Sequence, residues 1–157
     1  MTASTVNGAW LTSTNQDYLT RAFKVGVGCE CVAATETIET TSVDEINDRV
    51  NMLAIPQGSK IACIWYSVTD MDSGGPTLSM DIMAAETSGG TLTETDLNTP
   101  STFGQSATTG FLVPDAGGTW LHTCGATDDG TVTIRLKVTA AATTAAQGTV
   151  SLICWYR

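Results

Sequence analysis

From Val132 to Thr139 the chain alternates without interruption. Val132, Ile134, Leu136 and Val138 are apolar, and Thr133, Arg135, Lys137 and Thr139 between them are polar. Successive side chains of an extended strand point to opposite faces, so this octet presents one face to a core and one to water. The period recurs upstream. Leu78, Met80, Ile82 and Ala84 share one parity against Thr77, Ser79 and Asp81. From Arg21 to Ala33, Phe23, Val25, Val27, Cys29 and Cys31 fall on one side, with Lys24, Gly26, Gly28 and Glu30 between them. Turn chemistry separates these runs: Pro56-Gln57-Gly58, Ser73-Gly74-Gly75-Pro76, Ser88-Gly89-Gly90, Ala116-Gly117-Gly118 and Asp128-Asp129-Gly130. Short β-branched strands punctuated in this way predict an all-β fold, an antiparallel β-sandwich or jelly roll. Residues 1–18 read as an extended N-terminal arm anchored by Trp10 and Tyr18, and residues 19–157 as a single domain.

Two runs break the wet-outside rule. Lys60–Val68 offers Ile61, Cys63 and Trp65 on one side and Ala62, Ile64 and Tyr66 on the other. Thr149–Tyr156 offers Val150, Leu152, Cys154 and Tyr156 against Ile153 and Trp155. A strand with two apolar faces needs a cover on its outer side, either a subunit interface or a crossing loop. Three segments read less clearly. In residues 42–54, Ser42-x-x-Glu45 imitates a helix capping box, and Ile46, Val50 and Leu53 have helical spacing. Residues 86–118 are rich in Thr, Ser and Gly and read as a long loop with one short strand. Ala140–Gln147 reads as a small-residue connection.

The 157 residues suit one domain, and 42% hydrophobic content is enough for a core. With 15% charged residues a coiled coil is excluded. A net charge of -9 argues against a nucleic-acid binder, which needs clustered Lys and Arg. No run of about 18 apolar residues exists, so no transmembrane helix is expected. The first residues lack a basic and an apolar region, so no secretory signal is expected there, and the five cysteines read as reduced thiols. No Lys or Arg lies between Lys60 and Arg135, a stretch holding nine acids. Either an acidic outer half set against a neutral attachment half, or loops kept soluble by charge, accounts for that pattern.

His122 is the one histidine, no Gly-x-Ser-x-Gly turn accompanies it, and no phosphate-binding glycine motif occurs, so no enzyme and no cofactor is expected. Cys29-x-Cys31 lacks a second pair to complete a metal set, and its thiols read as small buried apolar groups. Asp70, Asp72 and Asp81, with Gly75 between, have an EF-hand-like spacing for calcium, although position five is Gly74 and the flanks read as strands. Trp10, Trp65, Trp120 and Trp155 read as core aromatics or as a sugar-stacking platform.

The run Asn47-Asp48-x-Val50-x-Met52-x-x-Ile55-Pro56-x-Gly58-x-Lys60-Ile61 leads through a strand to Asp70-x-Asp72. Gly74-Gly75-Pro76-x-Leu78, Phe103-Gly104-Gln105-Ser106, the Val132–Val138 strand and Gly148-Thr149-Val150 follow, with a closing strand to Tyr156. Over residues 44–157 this pattern resembles small β-sandwich proteins of tailed-phage head gene clusters, several of which are capsid cement or decoration proteins. The resemblance implies a virion structural protein on the capsid surface, made in the host cytoplasm and bridging neighbouring capsomers. It implies the major capsid protein as partner, self-association as a homotrimer, and no nucleic acid or membrane partner. Contacts are then expected at Trp10, Leu11 and Tyr18 of the arm and around Trp65, Trp155 and Tyr156. The alternative is a tail-fibre, spike or carbohydrate-recognition β-sandwich module.

Overall fold

The computed structural model describes residues 29–75, 77–115 and 118–157. Nine strands follow in order: β1 (Glu30–Ile38), β2 (Arg49–Pro56), β3 (Lys60–Val68), β4 (Ser79–Ser88), β5 (Thr91–Asp96), β6 (Thr108–Leu112), β7 (His122–Thr123), β8 (Thr131–Ala140) and β9 (Gly148–Tyr156). They form two antiparallel sheets. One has the order β1-β9-β3-β6, with β7 also pairing β3; the other has the order β2-β8-β4-β5. With the two-residue β7 set aside, the long strands nest. The first pairs the last, β1 with β9, the second pairs the next to last, β2 with β8, β3 pairs β6, and β4 pairs β5. Successive nested pairs alternate between the sheets, as if one long hairpin had been rolled up. This is the jelly-roll form of the antiparallel sandwich.

The core lies between the sheets, where period-two side chains meet. β8 contributes Val132, Ile134, Leu136 and Val138, β4 contributes Met80, Ile82 and Ala84, and β9 contributes Val150, Leu152, Cys154 and Tyr156. Phe103, from the β5–β6 connection, meets the Tyr66 ring edge-on at 5.3 Å. The innermost hairpin turns on Gly89 and Gly90, both at positive φ, the backbone a two-residue primed turn requires. Their N–H groups donate to the Asp128 carboxylate at 2.8 and 2.9 Å, fixing this turn to the β7–β8 loop.

Bulges account for the places where the sequence pattern misleads. Between Ile61 and Cys63 the β3–β9 register shifts, so Ile61 joins Ile64 and Tyr66 in the core while Ala62, Cys63 and Trp65 belong to the outer side. The alternation expected for this strand is therefore one residue out at its start. A second shift between Asn51 and Leu53 lets Val50, Met52, Leu53 and Ile55 all reach the core. The helical spacing of Val50 and Leu53 is thus a bulged strand, and Ile46, the third member, is 61% exposed in the preceding loop. Residues 86–118 hold two strands, β5 and β6, rather than one. In β1 both parities are apolar: Val32, Ala34 and Ile38 enter the core, while Cys31 and Ala33, with Cys29 just before the strand, belong to the outer side. Among the described residues no helix is long and apolar enough to cross a membrane.

Candidate functional site

The outer side of the five-stranded sheet carries a second apolar cluster. Cys29, Ala33, Cys63, Ile153 and Trp155 are buried there, and Cys31, Ala62, Trp65 and Trp120 pack against them. The register builds it: Cys31 lies opposite Trp155, Trp155 opposite Cys63, and Trp65 opposite both Ile153 and Phe111. Phe111 stacks on Trp155 with ring centroids 6.4 Å apart, yet remains 55% exposed, and Val113 beyond it is 54% exposed. Trp120 comes from the β6–β7 loop, with Lys60 Nζ 5.8 Å from its ring centroid. Burial pushes the Cys63 thiol up to about 12, with Cys29 and Cys31 adding to the effect; burial also raises Cys29 and Cys31. These thiols stay protonated and act as apolar filling rather than as nucleophiles.

The other sheet is different outside. Glu94 on β5 accepts from Arg49 Nε at 2.7 Å and Arg49 Nη2 at 3.0 Å. It also accepts from Arg135 Nη1 at 3.3 Å, and Lys137 Nζ lies 3.0 Å from its second oxygen. The Arg49 hydrogen bond, against a smaller opposing effect of burial, holds the Glu94 carboxyl at about 2. Asp81 lies opposite Lys137 in the ladder. Glu94 and Asp81, two of the nine acids of the stretch without Lys or Arg, are thereby placed among the bases.

The calcium-like spacing does not assemble. Asp72 is buried and its carboxylate is filled by donors: Thr77 N and Leu78 N at 2.8 Å each, Thr77 Oγ1 at 3.0 Å and Thr144 N at 3.4 Å. Burial pushes this carboxyl up, but the hydrogen bonds from Leu78, Thr77 and Thr144 prevail and hold it at about 2. Asp70 Oδ1 accepts from Asp72 N, and Asp81 sits in β4 beside Lys137. This is an anion satisfied by N–H and O–H groups, where a cation site needs free oxygens.

Of the expected contact residues, Trp65 and Trp155 share the outer cluster. Tyr156 does not join them. It faces the core, and its hydroxyl donates to Glu30 Oε2 at 3.2 Å. Burial, followed by the Glu30 contact, raises its phenol to about 12. Trp10, Leu11 and Tyr18 lie outside the described residues.

His122, a solitary residue in the sequence, has a partner in space. Its Nε2 lies 2.8 Å from Glu86 Oε1, and Cys124 is buried beside them. One ligand atom from each of the three lies within 4.8 Å of the other two. Burial, with Glu86 next, pushes the Cys124 thiol up to about 12. The local signal was His122-x-Cys124; Glu86, 36 residues upstream of His122, is joined to it only by the sandwich.

No protein-family model and no curated protein matches this sequence. Solved structures do match in fold. A chain of the structure titled "Capsid of Ralstonia phage GP4" is 22% identical with a TM-score of 0.59, over 81% of this chain and 83% of that one. A chain of "Cyanophage Pam1 capsid asymmetric unit" is 19% identical with a TM-score of 0.57, over 83% of this chain and 86% of that one. The jelly roll described above is thus a fold also found in these two phage capsids, shared along most of both chains.

Proposed function

We propose that this chain is a virion structural protein, a cement or decoration protein that binds the outer surface of a phage head and bridges neighbouring capsomers. The observation that carries this reading is the contrast between the two outer faces. One sheet carries outside a network of ion pairs on Glu94, and the other presents Phe111, 55% exposed, over an apolar cluster that includes Trp65, Trp120 and Trp155. Exposed apolar surface of this kind, rimmed by polar residues, is characteristic of protein contact sites. The fold shared with chains of two phage capsids supports the same reading. Self-association as a homotrimer through this face, with Trp10, Leu11 and Tyr18 reaching to the neighbour, is part of the proposal. Tyr156, which faces the core, is not.

The mechanism is linkage. A protein that binds the assembled shell and not its separated parts stabilises the shell by about 2.7 kcal/mol per site at a free concentration a hundredfold above Kd. The test adds purified protein to phage heads that lack it, then measures co-sedimentation and the temperature at which DNA escapes. Bound protein and a raised release temperature are expected. A monomer that never sediments with heads overturns the proposal. Glycan-array binding lost on Trp120→Ala favours the carbohydrate-recognition module instead.

A further inference from the structure

The Glu86–His122–Cys124 cluster lies where the two sheets meet. Glu86 belongs to β4 in the four-stranded sheet; His122 belongs to β7 in the five-stranded sheet, and Cys124 follows it directly. The backbone around the second pair is pinned. Leu121 N donates to Ile61 O at 2.8 Å, Cys124 N to Ser59 O at 2.8 Å, and Gly58 N to Gly125 O at 3.2 Å. Gly125 keeps space for the carboxylate, since a Cβ there would lie 3.1 Å from Glu86 Oε2. Cys124 is 4% exposed, while the side chains of His122 and Glu86 are 17% and 18% exposed. The thiol is thus at the back and an open edge at the front.

We propose that Glu86, His122 and Cys124 form a three-ligand zinc site that ties the two sheets together and leaves its fourth position to water. One sulfur, one imidazole nitrogen and one carboxylate oxygen form a donor set suited to a borderline-soft dication, and three protein ligands with an open position are a familiar zinc arrangement. Tetrahedral coordination at ordinary zinc bond lengths separates nitrogen and oxygen ligands by about 3.4 Å. The 2.8 Å pair of His122 Nε2 and Glu86 Oε1 reaches that by side-chain rotation of a few tenths of an ångström. On binding, His122 offers Nε2 as a neutral imidazole with its proton on Nδ1, Glu86 turns its carboxylate oxygen from the ring to the ion, and the Cys124 thiol releases its proton to solvent.

The test uses the full chain, stripped with a chelator and titrated with Co2+ and then Zn2+. One equivalent of Co2+ is expected to give a thiolate-to-cobalt charge-transfer band with tetrahedral visible bands, and Zn2+ to bleach both. At free zinc a hundredfold above Kd, Tm is expected to rise by about 5–10 °C. Cys124→Ser removes the charge-transfer band, and His122→Gln weakens binding at least tenfold. A wild-type protein without the band overturns the proposal. So does a band that survives Cys124→Ser and His122→Gln and disappears in Cys31→Ser, because the metal is then held by the outer-face thiols. If Cys124→Ser does not fold, the wild-type spectrum and His122→Gln still decide.

Discussion

Asp72 and Glu94 are carboxylates whose surroundings make them constants of the folded state. Removing Asp72 leaves the buried N–H of Leu78 without its acceptor, while Thr77 N keeps Gly75 O at 2.7 Å. A buried donor left unsatisfied costs about 1–3 kcal/mol, so Asp72→Ala is expected to lower the urea stability by that amount. Both groups also set the response to acid. Asp72 falls from 3.8 to about 2 and Glu94 from 4.5 to about 2 on folding. A depressed carboxyl contributes its stability above its unfolded value and loses it as pH falls through the folded one. Stability is therefore expected to drop between about pH 4.5 and pH 2, and Glu94→Gln to flatten that slope in acid denaturation followed by circular dichroism. Little of this was legible in the residues alone. Asp70-x-Asp72 imitates a cation loop, and the donors that give Asp72 its true role stand five, six and 72 positions away. Only folding brings Thr144 to it.

Strands that are buried on one face advertise themselves, and those at an edge do not. β8 was readable because each of its inward side chains is apolar and each outward one polar. β5 was not, because among the described residues it pairs only β4 and is mostly exposed: Thr91-Leu92-Thr93-Glu94-Thr95-Asp96 has no apolar face to supply a period. Charged and threonine-rich edges of this sort also discourage pairing with foreign strands. The bulges in β2 and β3 were hidden for another reason, since an extra residue flips parity without changing composition. The burial difference within a strand is measurable. Leu152→Ala, fully buried between the sheets, is expected to cost about 2–5 kcal/mol in chemical denaturation. Thr133→Ala, on the outward side of β8, is expected to stay within about 0.5 kcal/mol.

At the scale of the whole molecule the two-faced strands β3 and β9 were visible in the sequence, and the fold places them side by side in one sheet. Which loop reaches over them was not visible, because Trp120 is brought there by a connection whose path depends on β6 and β7 both pairing β3. The proposed interface predicts a separation of two properties. Phe111→Ser, at a position 55% exposed, is expected to leave the denaturation midpoint nearly unchanged while reducing the native mass and the binding to heads. An equal loss in both would mean that this ring serves folding alone.

The nested strand order has a consequence for how the protein is made. Among the described residues β1 pairs only with β9, and Glu30 meets Tyr156 across 126 positions of chain. While the ribosome is still adding residues, β1 has none of its described strand partners and β3 lacks its neighbour on that side. Pairings between such distant segments form slowly, and the incomplete sheet exposes apolar edges meanwhile. Nascent chains of this protein therefore have to wait, open and adhesive, until translation delivers the strand that closes them.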